Sequence, residues 1–273
     1  AMKVQISRKL LENNEIYNYY LKNRNKYDMV RSIPTDQYRM EIEIEMVDDN
    51  ETVFSDTLQN LKPFKYDISL RGIVYGPTMY IEERTVYLGE YNGDIREGNG
   101  LQIFEDGSLY EGEFKNDQAT GRGRIIFEEG DVYQGDVDGF EMHGTGVYHR
   151  VIGDKMKGQF FRDQPHGKMK VEYKDGARFE GEYSNGKKNG YGLFVFADGT
   201  YYEGNFRDDF FQGEGVFINN ADGMRFEGQW DANTLLSPAT IKYTDGSIYK
   251  GDVENYNKHG QGVLVKLDNR YTG

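Results

Sequence analysis

Residues 179–201 read FEGEYSNGKKNGYGLFVFADGTY, and the fold follows from how often that string returns. It opens on a ring, any residue and a glycine (Phe179-Glu-Gly181), and a second ring, Tyr183, follows two positions later. It then passes Gly190-x-Gly192, runs through Leu193-Phe194-Val195-Phe196 and closes on Asp198-Gly199. The opening element recurs at Tyr87, Tyr110, Tyr133, Met156, Phe179, Tyr202, Phe226 and Tyr249, each two residues before a glycine. The step is 23 residues throughout, except for 24 between Tyr202 and Phe226. An internal period of this length marks a repeat architecture.

The chemistry of one unit predicts its conformation. Ring, x, Gly, x, ring is a period-two pattern, so the rings share one face of a strand. The glycine between them removes a side chain from that face and lets a ring of a neighbouring unit lie against the backbone. Acid-Gly pairs such as Asp106-Gly107, Asp175-Gly176 and Asp245-Gly246 supply the positive φ of a tight hairpin turn. A lone hairpin is marginal in water, whereas stacked hairpins bury a continuous ladder of rings. The expectation is a mainly β protein: an elongated single-layer antiparallel sheet of about eight hairpins spanning 87–273. Two units depart from the pattern. The fourth has Met156 and Met169 at a ring and a glycine position, and the seventh has Ser237-Pro238-Ala239 in place of Gly-x-Gly. Tyr271-Thr-Gly273 reads as the start of a ninth unit.

These motifs resemble the MORN repeat (membrane occupation and recognition nexus). The resemblance implies a scaffold that binds other proteins without catalysis, in a cytoskeletal or ciliary assembly of the cytoplasm. Two further roles known in the family stay open: a membrane-contact or phosphoinositide-binding module, and the regulatory region of a larger enzyme continuing beyond residue 273.

Residues 1–86 lack the repeat and are expected to form an N-terminal α+β cap or docking segment. Ile6, Leu10, Tyr17, Tyr20, Leu21 and Tyr27 fall at helical spacing, predicting an amphipathic helix over 5–31. Met40, Ile42, Ile44 and Met46 alternate with Glu41, Glu43 and Glu45, predicting a half-buried strand. Thr57 to Val86, with Gly72, Gly76 and Pro77, reads as divergent repeat-like strands.

Composition narrows the function. The net charge of −13 argues against nucleic acid and against general affinity for anionic membranes. There are no cysteines, which removes disulfides, zinc-thiolate sites and a thiol nucleophile. His143, His166 and His259 all precede a repeat glycine, and Glu90, Glu113, Asp136, Glu182 and Asp252 all follow one, so periodicity accounts for both sets. The Gly-x-Gly elements feed strands and lack the third glycine and helix of a dinucleotide fingerprint. No enzyme, cofactor or metal is expected.

Two sets of residues exceed what the repeat needs. Phe140, Met142, Phe210, Phe211, Leu235, Leu236 and Tyr256 are apolar at hairpin bends where other units are polar. The five from repeats six to eight would line one edge, which suggests a site for a partner's amphipathic helix or extended peptide. Lys155, Lys157, Lys168, Lys170, Lys187 and Lys188 gather positive charge in an acidic chain, a candidate patch for weak binding of anionic phospholipid. An open strand edge would also allow self-association.

Overall fold

The computed structural model describes residues 2–23, 31–32, 42–47, 61–66, 73–74, 78–80 and 84–266. It divides into two compact units. One comprises Ala1–Gly153 with Phe161–Asp163, the other Asp154–Phe160 with Gln164–Gly273.

The protein is mainly β. Before the repeats come β1 (Met2–Ser7), α1 (Arg8–Glu12), α2 (Glu15–Asn23), β2 (Arg31–Ser32), β3 (Ile42–Val47), β4 (Ile73–Val74) and β5 (Thr78–Tyr80). The hairpins then follow in order. They are β6 (Thr85–Asn92) with β7 (Ile95–Phe104), β8 (Leu109–Lys115) with β9 (Gln118–Ile126), and β10 (Val132–Asp138) with β11 (Glu141–His149). Next come β12 (Lys155–Phe161) with β13 (Gln164–Glu172), β14 (Arg178–Ser184) with β15 (Lys187–Val195), and β16 (Tyr201–Arg207) with β17 (Phe210–Ile218). The seventh is β18 (Arg225–Asp231) with β19 (Thr234–Leu235) and β20 (Ala239–Lys242), and the last is β21 (Ile248–Glu254) with β22 (Asn257–Val265).

The second hairpin shows why the motif has its spacing. Tyr110 lies over two glycines of its own repeat: a Cβ on Gly112 would come within 2.3 Å of its hydroxyl, and one on Gly123 within 2.3 Å of its ring. The ring expected from a neighbouring unit is therefore supplied mainly from within the unit, because Gly112 and Gly123 face each other across the strand pair. The register slips by a bulge between Gly112 and Glu113. The Tyr110 hydroxyl donates to the Glu113 carbonyl at 2.9 Å, satisfying a group at the bulge. Gly121 takes φ +69, and the Glu113 carboxylate lies where its Cβ would be. Tyr87, Tyr133, Tyr202 and Tyr249 make the same hydroxyl bond three residues on. In the fourth repeat Met169 covers Gly158 instead of a ring.

The turns are of two kinds, of which the sequence expectation covers one. The tight turns fall at Asn116-Asp117 (φ 50, 65), Asp208-Asp209 (49, 75) and Asn255-Tyr256 (50, 63), each with two left-handed residues. The acid-Gly pairs make the other turns, from one repeat to the next, and as expected they join antiparallel strands, β7 and β8 for example. There Asp106 accepts the Ser108 amide at 2.8 Å while Gly107 takes φ 90.

The N-terminal region departs further. The predicted helix over 5–31 begins as β1, which pairs in parallel with β3 from Met2↔Ile42 to Ser7↔Val47. The helical part is two short helices, parted where Asn14 turns its side chain into the sheet and accepts the Tyr17 amide at 2.9 Å. β3 forms where alternation predicted a strand. Tyr27, Met40, Gly72, Gly76, Pro77 and the Tyr271–Gly273 opening lie outside the described residues.

Candidate functional site

The residue two positions after the second turn residue points back onto the ring face, and its chemistry changes from repeat to repeat. In the first it is Arg96, buried 5.9 Å from the Tyr87 ring centroid and 5.8 Å from that of Phe114. Its side chain donates to Gln102 Oε1 at 2.8 Å, and its amide to Asp117 Oδ1 at 2.8 Å. In the third it is Met142, also buried. In the fifth it is Lys188, whose ammonium sits 5.4 to 5.8 Å from the rings of Phe194, Phe179 and Tyr173. In the sixth it is Phe211, stacked on Tyr202 at 3.8 Å with the planes 8° apart. An acid or amide from the next turn holds several of these in place. Asp163 accepts the Met142 amide, Asp209 that of Lys188 and Asn233 that of Phe211, at 2.7 to 3.0 Å.

In the second unit this arrangement leaves a groove of about 400 Å³ on the ring face. Its walls are Phe194, Phe196, Phe206, Phe211, Phe217 and Tyr256. Lys188 and Asp209, 3.3 Å apart, stand at it. Burial pushes the Tyr256 phenol above its ordinary pKa, so the ring enters this wall as a neutral group.

The five bend residues of repeats six to eight, expected along one edge, do not share one direction, and Phe140 and Met142 lie apart from them. Phe140 folds onto Phe104, Tyr110 and Phe114 at 5.3 to 6.0 Å, and with Met142 belongs to the first unit. Leu235 is buried, its methyl group 3.2 Å from where a Cβ on Gly228 would lie. Phe211 and Tyr256 form groove walls. Phe210 and Leu236 are 49% and 42% exposed, and Phe210 points to the face opposite Phe211. The lysines also divide. Lys157, Lys168 and Lys170 line a depression of about 630 Å³ on the face opposite the rings, and Lys155 lies on the same strand as Lys157. Lys187 lies 4.0 Å from Asp208 and Lys188 is engaged by Asp209, both at a hairpin end. Among the described residues no group of three or more acidic or histidine side chains could hold a metal ion.

Phe194, Phe196 and Phe217 were not among the predicted site residues. The signal was present in Leu193-Phe-Val-Phe196, where two phenylalanines two apart must share a face.

Comparison with known proteins adds the following. The MORN repeat family model matches residues 87–109, 110–132, 133–155, 157–178, 179–201, 202–220 and 249–266. The seventh hairpin is unmatched, in keeping with its Ser237-Pro238-Ala239 departure; there the Ser237 hydroxyl bonds both the amide and the carbonyl of Val253, at 2.8 and 2.9 Å. No curated protein matches the chain. Among solved structures, the SAS-4 (dCPAP) TCP domain of Drosophila melanogaster, in complex with a proline-rich motif of Ana2 (dSTIL), is 12% identical with TM-score 0.36. That match covers 57% of this chain and 85% of the other. The wild-type TCP10 domain of Danio rerio CPAP is 18% identical with TM-score 0.34, over 56% and 72% of the two chains. Likeness at that level carries no functional argument.

Proposed function

The chain belongs to the MORN-repeat family, and on that premise we propose that it is a non-catalytic scaffold that grips a partner protein on its hairpin sheet, within a cytoskeletal or ciliary assembly of the cytoplasm. The observation that carries this reading is the aromatic groove of the second unit. Six rings converge on one open surface, where a single charged pair can orient what enters. Concave aromatic surface of this kind supplies the anchoring pockets in which binding energy concentrates. An amphipathic helix or an extended peptide would fill it with apolar side chains. Residues 1–86 serve in this reading as a cap, since α2 and residues 61–66 lie over the first hairpins.

The test is affinity capture with the 273-residue chain from soluble and detergent-extracted cytoskeletal fractions. Phe196→Ala with Tyr256→Ala removes two partly exposed walls and spares the Phe211–Tyr202 stack. Recovery of a defined protein by the parent chain and its loss with this variant is the expected outcome. Undiminished capture by the variant would remove the groove from the mechanism.

A further inference from the structure

The face opposite the rings is covered in the first unit. There it carries Leu88, Leu101, Glu111 and Arg124, all buried. Ile16 of α2 packs on Leu88, with Tyr17 and Tyr66 beside it. Asn14 donates to Glu111 Oε1 at 2.8 Å, and Arg124 donates to Glu111 Oε2 at 2.6 Å and to the Lys62 carbonyl at 2.7 Å. Phe64 lies 5.5 Å from the Arg124 guanidinium. The chain's own cover thus shows what this face accepts: α2 lays Ile16 on it, while Asn14, just before that helix, and the non-helical residues 61–66 bring polar and aromatic groups to the charges of the sheet.

In the second unit the same face carries Lys170, Glu180, Leu193, Glu203, Val216 and Glu227 as successive cross-strand neighbours. Among the described residues nothing covers them. Tyr191 and Leu193 are 55% and 37% exposed. Two depressions, of about 630 and 520 Å³, meet at Tyr191. They differ in charge. The first holds Lys157, Lys168 and Lys170 against Glu180 and Glu182, three positive to two negative. The second holds Glu203, Glu214 and Glu227 against Arg225 and Lys242, three negative to two positive. Burial raises the Glu227 carboxyl, but the hydrogen bonds and positive charges of Lys242 and Arg225 together bring it below its ordinary value, so it stays ionised.

We propose that this face of the second unit is a second docking surface, and that its occupant is an amphipathic helix of a partner protein. The helix lays apolar side chains on Tyr191, Leu193 and Val216 and carries acidic residues at the end over Lys157, Lys168 and Lys170. From β13 to β18 is five strand spacings of about 4.8 Å, so a helix of about 16 residues spans it. The surface lies on the other side of the sheet from the aromatic groove, and the two stand or fall separately.

A displayed library of amphipathic helices of about that length, randomised in charge at both ends, would be selected on the 273-residue chain. Enriched helices are expected to carry Asp or Glu at one end. They should lose about tenfold or more in affinity for Tyr191→Ser with Leu193→Ser, exposed positions that leave the circular dichroism and melting unchanged. They should keep their affinity for Phe196→Ala with Tyr256→Ala. Reversing Lys168 and Lys170 to Glu should invert the charge of the helices selected. No enrichment, binding indifferent to Tyr191 and Leu193, or an unchanged charge preference after the reversal would each overturn the proposal.

Discussion

At the scale of single residues, the repeat depends on what each ring and glycine do for one another. Gly123 has no room for a methyl group, because the Tyr110 ring occupies the place of its Cβ. Gly123→Ala is therefore expected to cost about 1–3 kcal/mol through overpacking, read as a lower midpoint in urea. Repeats with tyrosine bond a carbonyl at the bulge, whereas Phe179 has no hydroxyl to offer. Tyr133 donates to the carbonyls of Asp136 and His143, both at 2.8 Å. Tyr133→Phe should lose about 0.5–1.5 kcal/mol and Phe179→Tyr should gain a similar amount. No loss for Tyr133→Phe together with no gain for Phe179→Tyr would refute the account of the bulge. The phenols also couple stability to alkaline pH. Burial pushes Tyr202 up from 10.0 to about 12, partly offset by a hydrogen bond from the backbone of Gln212. An unfolded chain loses that proton near pH 10 while the folded one keeps it, so the contribution is complete below pH 10 and is lost as pH rises to about 12. Burial raises Tyr110, Tyr133 and Tyr183 in the same direction. Unfolding followed against tyrosinate absorbance should be less steep in pH for Tyr202→Phe than for the parent, and an equal slope would count against it.

At the scale of elements, the hairpins were legible because one 23-residue phrase states the strand period, the ring face and both glycines. Their order and register follow from it. One kind of turn was legible and the other was not. Asp-Gly is the strongest short hairpin signal, and Asp106-Gly107 does turn between the antiparallel β7 and β8, whereas no glycine marks Asn116-Asp117 and Asp208-Asp209, which take the two-residue left-handed turns. Nor did the bend residues declare their direction. Phe211 and Phe210 are neighbours in sequence, but strand alternation sends one into the rings and the other to the opposite face. Least legible was the N-terminal region, where helical spacing at Ile6 did not outweigh the pairing of β1 with β3, although Leu10 does lie in α1. Its docking depends on a buried ion pair that no local pattern announces. Glu111 and Arg124 are shielded by Asn14 and Lys62, so Arg124→Met leaves a buried carboxylate without its cation and should cost about 3–5 kcal/mol. Glu111→Leu together with Arg124→Met should recover most of that loss. A double variant as unstable as the single one would show that the polar contacts of the pair, rather than an uncompensated charge, hold α2 down.

At the scale of the molecule, a repeat array is stabilised by each hairpin's neighbours, so protection should fall where neighbours run out. Within the second unit, β16 and β17 lie under the Phe211 stack and pair on both sides, with β15 and with β18. β22 pairs with β21, and all nine of its residues are exposed, Val263 and Val265 among them. What holds that last hairpin is Tyr249, whose hydroxyl reaches the carbonyls of Asp252 and His259, and the Asp252 carboxylate, which accepts the Gln261 amide at 2.8 Å. Hydrogen exchange on the 273-residue chain should therefore grade from slow amides in β16 and β17 to fast ones in Asn257–Val265. Substitution should follow the same slope. Phe206→Ala, in a buried ring cluster, is expected to cost about 3–5 kcal/mol, and Val263→Asp about 0.5 kcal/mol or less. Uniform protection through to Val265 would mean that the unit opens as one block, and nearest-neighbour stacking would then not describe how this sheet holds together.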